Sequence, residues 1–372
     1  MPLRSPRSGS TRWTRPPGGL RSRPDCGRGG PRRCAWASRC RCRSVSGGGT
    51  GGAYPVRVPD RRSVEVSVQA GPGAGRRPAR WAGACIALIG ALTLLLAGCV
   101  KNDDGTVPQR TPLHIEPVPS IAALVPPQIR AAGRLEVGTN PPYAPNEFKD
   151  PSGKIVGFDV DLMNAVAAVL GLTARYEQAD FDKIIPAVQA GTYDLGMSSF
   201  TDTLERENAV DFVTYYRSGI RWAQQSGDHI LPGDACGLRV AVQTGTTEDI
   251  VEVPAVSEAC AAAGEPPVHK IKYLSQADAT NALLLGRVDA FSADLPVTAY
   301  AIKRSDGRLA FAGPVKDSAP YGWPVRTGSP LGPALQQAMQ HLIDTGAYRT
   351  IAEDWGVEAG MITTSRINAA AS

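Results

Sequence analysis

Arg206 is the first residue whose position suggests chemistry. It follows a Ser/Thr-rich turn in the stretch SSFTDTLERE, where Thr203 can cap a short helix. An arginine in the first turn of a helix, beside free backbone N–H groups, favours a carboxylate partner. A structural role is also open, because Arg206 could pair with Glu205, Glu207 or Asp211 on a solvated helix face.

Asp294 is the second such residue. In FSADLPV it follows a predicted strand and precedes a predicted helix. Ligands of open α/β sheets lie at the carboxyl ends of strands, so this acid is a candidate binding group. It could equally be a plain helix N-cap.

Motifs of catalysis or metal binding are absent from the sequence. The histidines at 114, 229, 269 and 341 are far apart, without the spacing of a zinc site. There is no Gly-x-Ser-x-Gly elbow and no His-Glu-x-x-His pair, and PSGKIVG lacks the upstream glycine of a phosphate-binding loop. We therefore expect neither an enzyme nor a bound cofactor or metal.

The charge distribution divides the chain into unlike parts. Residues 1–80 contain 18 arginines, no lysine and three acidic residues, and residues 81–98 are uncharged. From residue 99 onward, 22 basic side chains face 32 acidic ones, a net charge of −10. The mean charge of the whole chain thus describes neither part.

The Arg-rich segment 1–65 is predicted to be disordered, since it has too few large apolar residues to form a core. One interpretation is a basic arm for nucleic acid. Aromatic residues for base stacking are few and scattered. We favour a start codon placed too far upstream, with Val66 or Val68 as the true start, and expect no nucleic-acid partner.

Residues 66–98 have the three parts of an export signal: the arginines of RRPAR, the uncharged stretch WAGACIALIGALTLLL, and small residues before Cys99. A retained membrane helix is the alternative, because the stretch is nearly long enough to span a bilayer. LAGC resembles the lipobox of bacterial lipoproteins. That resemblance implies a lipidated Cys99 as the mature N-terminus, held at the outer face of the cell membrane.

The rest of the chain alternates predicted helices and strands. A polar, proline-rich stretch over 99–127 is expected to be a flexible tether. Beyond it, RLEVGT and LRVAVQ are predicted strands, and FDVDLMNAVAAVLG is a predicted helix that ends at Gly171. The pattern predicts an α/β fold with a parallel-rich sheet. AVQAGTYDLGMSSFTDT and ALLLGRVDAFSADLP echo one another, which favours two similar lobes around one cleft.

Several blocks in this order resemble the family 3 extracellular solute-binding proteins, the amino-acid receptors of ABC importers. GFDVDLMNAVAAVLG fits the family signature, and the resemblance extends over residues 129–368. Further matching blocks are VGTNPPYAPNEF, DFDKIIPAVQAGTYDLGMSSFTDTLERE, LRVAVQTGTTEDI and GAYRTIAEDWGV. The resemblance implies a two-lobed, type II periplasmic-binding fold with a two-strand hinge, expected near residues 220–224 and 321–325. Lobe 1 is expected over 128–222 and 323–372, and lobe 2 over 223–322.

Head-group contacts follow from the resemblance. A zwitterionic α-amino acid needs a cation for its carboxylate and an anion for its ammonium, and these roles correspond to Arg206 and Asp294. Thr247 would add hydroxyl and N–H donors to the carboxylate. Ser199 and Thr201 match polar contacts from lobe 1.

Side-chain contacts follow in the same way. Tyr143 and Phe181 match an aromatic pair that encloses the ligand side chain, although both could simply be core residues. Gln243 matches a side-chain contact of glutamine receptors. Asn140 stands where many relatives have an acid, so a purely cationic ligand loses a partner and glutamine or glutamate is expected.

The predicted function is a lipid-anchored, monomeric receptor that delivers a polar amino acid to an ABC permease. A ligand-sensing lipoprotein for a signalling partner and a dehydratase-like enzyme of the same fold are the alternatives. Cys236 and Cys260 are the cysteines left in an exported chain after Cys99, which favours a disulfide over two buried thiols.

Overall fold

The structure, a computed structural model, describes residues 107–370. The proposed extension, signal peptide and lipidated Cys99 lie outside these residues. The strands are β1 (Arg134–Thr139), β2 (Phe148–Lys149), β3 (Ile155–Val156), β4 (Thr173–Gln178), β5 (Leu195–Gly196), β6 (Asp211–Gln225), β7 (Arg239–Gln243), β8 (His269–Tyr273), β9 (Ala290–Asp294) and β10 (Leu309–Val325). The α-helices are α1 (Pro119–Ala122), α2 (Pro127–Ala132), α3 (Phe158–Val169), α4 (Phe181–Ala190), α5 (Leu204–Glu207), α6 (Val253–Ala262), α7 (Gln276–Leu284), α8 (Leu295–Arg304), α9 (Leu331–Thr345) and α10 (Ala347–Trp355).

One mixed sheet organises the described residues, with strand order β4-β1-β5-β10-β6-β9-β7-β8. β1 pairs in parallel with β4 and β5, and β7 pairs in parallel with β8 and β9. These two parallel groups are the centres of two lobes, and β6 and β10 lie between them. The predicted two-lobed α/β fold is thus observed.

Lobe 1 is built around the predicted helix α3. Its apolar stripe, Val160, Met163, Val166 and Leu170, is buried in the largest apolar cluster. Gly157 is the N-cap residue just before this helix. Its φ of 145°, and the carbonyl oxygen of Asn146 that an added Cβ would overlap, require glycine. The sequence pattern therefore fixes both the start and the buried face of this helix.

Lobe 2 has apolar clusters on both faces of β7 and β9. Between β7 and α6 the chain forms a π-helical turn, Glu248–Glu252. Such turns are rare and often occur at functional sites. A disulfide joins Cys236 to Cys260, as expected.

The two long strands β6 and β10 run through both lobes. Residues 211–217 of β6 pair with β10 within lobe 1, whereas Ile220–Gln224 pairs with β9 in lobe 2. The antiparallel pairing is irregular between Ala312 and Ala319. The crossing thus lies near residues 218–220 and 316–319, a few residues before the segments 220–224 and 321–325 expected from the sequence.

The segment 107–127 differs from the expected flexible tether. Ile121 and Val125 are buried in the lobe 1 core, and the amide of Val118 donates to Val169. Arg110 forms a 2.9 Å ion pair with Asp161 on α3. This segment therefore belongs to lobe 1. Within the described residues, no helix is long and apolar enough to cross a membrane.

Candidate ligand-binding site

Arg206 reaches from α5 into the space between the lobes. Thr203 caps α5, as predicted, by accepting from the Arg206 amide at 3.3 Å. The guanidinium donates to the carbonyl of Thr201 at 2.8 Å and, across the lobes, to that of Gly245 at 3.0 Å. Among the ion pairs of residues 107–370, none includes Arg206, so the surface pairing left open by the sequence is not observed.

Two aromatic rings support this arginine. Phe181 and Phe200 stack with ring centroids 4.4 Å apart. The Arg206 guanidinium carbon lies 5.7 Å and 5.8 Å from the two centroids, within range of a cation–π interaction. Burial lowers the pKa of Arg206, and the negative charges of Glu248 and Asp294 oppose the shift. The aromatic floor thus holds a cation at the cleft, and Phe200 is a member that the sequence reasoning missed.

Asp294 ends β9 and faces Arg206 from lobe 2. Its side chain does not cap α8; instead it accepts a 2.5 Å hydrogen bond from the hydroxyl of Tyr143 in lobe 1. Burial raises the pKa of Asp294 well above its usual range, Glu248 adds to the shift, and Tyr143 and Arg206 oppose it. A carboxyl group and a guanidinium thus approach the same cleft from opposite lobes.

Glu248 is the main site residue that the sequence reasoning missed. It follows Thr247 at the start of the π-helical turn and is 2% exposed. Its Oε2 accepts from the Thr247 hydroxyl at 3.3 Å, whereas its Oε1 has no hydrogen-bond partner among the described residues. Burial raises the pKa of Glu248. The available signal was the acid directly after the threonines of TGTTED.

Ser199 lies on the cleft wall in a left-handed conformation, with φ of 50°. Its amide and hydroxyl both lie within hydrogen-bond range of Asp159 Oδ2, at 3.2 Å and 3.1 Å, and its hydroxyl accepts from Asn146 at 2.7 Å. Tyr215 also donates to this carboxylate, at 2.7 Å. The buried α3 acid therefore fixes the strand-end loop that carries Ser199 and Thr201.

Asn140 and Gln243 meet across the lobes. The Gln243 side-chain nitrogen donates to the Asn140 side-chain oxygen at 2.6 Å, and Asn140 in turn donates to the carbonyl of Ala179 at 2.6 Å. Both side chains are buried. They are therefore bonded to each other, a relationship that the sequence did not predict.

One cleft is lined by eight of the nine predicted residues, and Asn140 joins it through Gln243. The cavity within this cleft is about 10 Å³, which leaves room for about one water. The lining residues are Tyr143, Phe181, Ser198, Ser199, Thr201, Arg206, Gln243, Thr246, Thr247, Glu248 and Asp294.

Comparison with known proteins decides the family. The profile of bacterial extracellular solute-binding proteins, family 3, matches residues 135–358. The chain belongs to this family. The arginine-binding protein ArgT of Corynebacterium glutamicum is 41% identical over 294 residues, which are 78% of this chain and 96% of the relative.

Solved structures of the family agree with this fold. An ancestral arginine-binding protein bound to arginine is 34% identical, with a TM-score of 0.56, over 60% of this chain and 98% of that one. An ancestral arginine-binding protein bound to glutamine is 33% identical, also with a TM-score of 0.56, over 61% of this chain and 99% of that one. As a family 3 member, this chain has the two-lobed architecture of an extracellular solute receptor.

Proposed function

We propose that the protein closes its lobes on an α-amino acid, with arginine preferred, and delivers it to an ABC permease. Arg206 pairs with the ligand α-carboxylate, and Asp294 receives its α-ammonium. The observation that carries this proposal is that a guanidinium from lobe 1 and a carboxyl group from lobe 2 line one cleft. A zwitterion is the solute that matches both charges, through a guanidinium fork at one end and a carboxylate at the other.

The preference for arginine rests on Glu248. Once Arg206 and Asp294 are matched by the ligand head group, this second buried carboxylate still lacks a cation. A buried charge is costly unless it is paired. A guanidinium side chain would supply both the charge and the N–H donors for Glu248 Oε1. The arginine-binding relatives support this choice.

The position of Glu248 also bears on the ligand expected from the sequence, which was glutamine or glutamate. That expectation rested on Asn140, which removes the usual anion from the loop after β1. Glu248 places an anion on the opposite wall of the cleft instead. Glutamine stays a competitor, because its amide could donate to the same oxygen, whereas glutamate would bring a third carboxylate.

Ligand binding is coupled to lobe closure in this proposal. Only a closed form allows one ligand to touch Arg206 and Asp294 together, so the ligand stabilises closure through differential contacts. A shift from 1:99 to 99:1 needs a preference of about 5.5 kcal/mol for the closed form. Two desolvated charge pairs between ligand and protein can supply a free-energy preference of this size. The closed surface is then what the permease recognises.

The binding proposal is tested by calorimetric titration of the full chain in detergent with L-arginine, L-glutamine and L-glutamate. We expect arginine to bind most tightly. Glu248→Gln should weaken arginine binding about 10- to 100-fold, the size of a hydrogen bond to a charged group, and change glutamine binding little. Glu258→Gln removes an exposed lobe 2 carboxylate as a control. Tighter binding of glutamate than of arginine would reject the specificity, and absence of binding to any common amino acid would reject the function.

Membrane attachment is proposed through a lipid on Cys99, on the strength of the LAGC sequence after an apolar stretch. The gene should be expressed from Val66 or Val68 and its membrane fraction compared with that of Cys99→Ala. We expect Cys99→Ala to lose anchoring. Undiminished anchoring with residues 81–98 retained by mass would indicate a spanning helix instead.

The receptor is further proposed to act as a monomer and without catalysis. A dehydratase on this fold would consume prephenate or arogenate in an ultraviolet assay, and we expect no turnover. A sensory role would require a signalling partner, whereas a neighbouring permease gene would favour transport.

A further inference from the structure

Three amide and carbonyl groups form a chain of hydrogen bonds at the cleft. Asn140 follows β1, Ala179 follows β4, and Gln243 ends β7. The Asn140 amide nitrogen donates to the Ala179 carbonyl at 2.6 Å, and the Asn140 amide oxygen accepts from Gln243 at 2.6 Å. The Gln243 nitrogen also lies 3.4 Å from the Leu274 carbonyl oxygen. The first two groups belong to lobe 1, and Gln243 belongs to lobe 2.

The lobe 1 end of this series of hydrogen bonds fixes which groups donate and which accept. A backbone carbonyl only accepts hydrogen bonds, so Asn140 must turn its NH₂ group toward Ala179. Its oxygen then faces Gln243, which must answer with its own NH₂ group. The Leu274 carbonyl favours the same orientation of Gln243. Rotating either amide by 180° would set oxygen against oxygen or NH₂ against NH₂.

The consequence appears at Gln243 Oε1. This oxygen is buried and has no hydrogen-bond partner within residues 107–370. The Gln243 side chain lines the ligand cleft, and so does the Glu248 side chain. Glu248 Oε1 is likewise buried without a hydrogen-bond partner among these residues. An unsatisfied buried acceptor is costly, so both oxygens favour a ligand that brings donors.

We propose that Asn140 is a positioning residue that fixes Gln243 as a hydrogen-bond acceptor in the cleft and so selects ligand side chains that end in N–H donors over those that end in a carboxylate. This inference rests on the proposed amino-acid function and deepens it. A guanidinium has five donors and no acceptor, and therefore suits both orphan oxygens. A ligand carboxylate offers only acceptors, so it cannot satisfy the Gln243 oxygen, and an ionised Glu248 would repel it.

The lobes must be closed for this selection to operate. Asn140 and Gln243 lie on opposite lobes, so the bond between them exists only when the lobes meet. Ligands of either kind could first contact one lobe through the head group. Discrimination between side chains then occurs at closure, when the amide orientation of Gln243 is set.

The test uses the full chain in detergent and compares arginine with glutamate, the latter by displacement of arginine. Asn140→Leu keeps the branched shape and the number of heavy atoms of the side chain, but removes the oxygen that fixes the orientation of the Gln243 amide. We expect arginine binding to weaken about tenfold, the loss expected for one hydrogen bond to a charged group. Glutamate binding should stay unchanged or tighten, so that the ratio of the two Kd values falls about tenfold. Asn164→Leu, on the exposed side of α3, is the matched control and should leave the ratio unchanged.

A double-variant cycle separates positioning from folding. Gln243→Met removes the acceptor, and adding Asn140→Leu to it should leave the arginine-to-glutamate ratio where Gln243→Met alone puts it. Equal weakening of both ligands by Asn140→Leu would overturn the proposal, as would a further change of the ratio in the double variant. If the unaltered protein binds no amino acid or prefers glutamate, the proposed function fails. If it prefers arginine and Asn140→Leu leaves the ratio of the two Kd values unchanged, only the present inference fails.

Discussion

Tyr143 of lobe 1 donates a 2.5 Å hydrogen bond to Asp294 of lobe 2, so the lobes are joined through the carboxylate proposed for the ligand ammonium. A carboxylate has two oxygens and about four acceptor positions, and can hold both the phenol and an ammonium. The bond therefore contributes to closure with or without ligand.

Tyr143→Phe should remove this link and ease opening of the lobes. We expect arginine affinity to fall about 10- to 100-fold, the range for a hydrogen bond to a charged group, mainly through faster dissociation. Stopped-flow dissociation and calorimetry measure both quantities. Tyr273→Phe, which removes a phenolic hydroxyl from β8, should dissociate at the unaltered rate. An unchanged rate in Tyr143→Phe would show that the bond does not hold the closed form.

The head-group pair gives a second prediction. Arg206→Ala or Asp294→Ala leaves a ligand charge buried and unpaired, which costs about 3–5 kcal/mol. That is about two to four decades in Kd. Arg206→Lys should also weaken ligand binding substantially, because an ammonium cannot reproduce the bidentate fork of a guanidinium. Near-normal calorimetric affinity in both alanine variants would mean that the ligand is not held as a zwitterion between these residues.

The disulfide gives a third prediction. It closes a loop across β7 and α6, with Cys236 and Cys260 separated by 24 residues. Constraint of the unfolded chain should stabilise lobe 2 by about 3 kcal/mol in the chain-entropy model. Cys236→Ser with Cys260→Ser should lower the thermal midpoint accordingly, while arginine affinity stays within about a factor of two to three of the unaltered protein. Two alkylated cysteines in exported, unreduced protein would contradict the bridge.

The elements that hold the head-group site could be predicted because their signals are local. The apolar stripe of α3, the strand β1 and the Thr203 cap of α5 each depend on residues close in sequence. The long strands β6 and β10 were seen only as hinge crossings, because their pairing joins residues about 100 positions apart. The packed segment 107–127 was missed since its polar, proline-rich composition is also that of a linker.

The polar contacts within the cleft could not be predicted from the sequence. Asn140 and Gln243 were each expected to face the ligand, yet they bond to one another, because their separation depends on how the lobes approach. Glu248 carried no signal beyond its place after Thr247, since its burial depends on the π-helical turn. Residue type and spacing identify candidates, whereas the direction of a hydrogen bond requires the tertiary structure.

The last prediction concerns pH. Burial raises the pKa of both Asp294 and Glu248, so each carboxyl of the free protein keeps its proton to a higher pH than usual. A cationic ligand favours the ionised forms and lowers both pKa values when it binds. Arginine binding should therefore release protons. The affinity for arginine should be high at higher pH and should decrease as the pH falls through the raised pKa values. The change is at most about tenfold per pH unit for each proton released.

Calorimetry at pH 5 and pH 7.5, in buffers of different ionisation enthalpy, measures affinity and proton release together. Glu248→Gln should release fewer protons and show a flatter pH dependence. The raised pKa of Asp294 also means that the folded, ligand-free protein binds more protons than the unfolded chain, so this group destabilises the fold increasingly as the pH rises above its unfolded pKa. Asp294→Asn should therefore raise the ligand-free thermal midpoint at pH 7.5 while it weakens arginine binding. An arginine affinity that is the same at both pH values, without proton release, would show that neither carboxyl changes ionisation on binding.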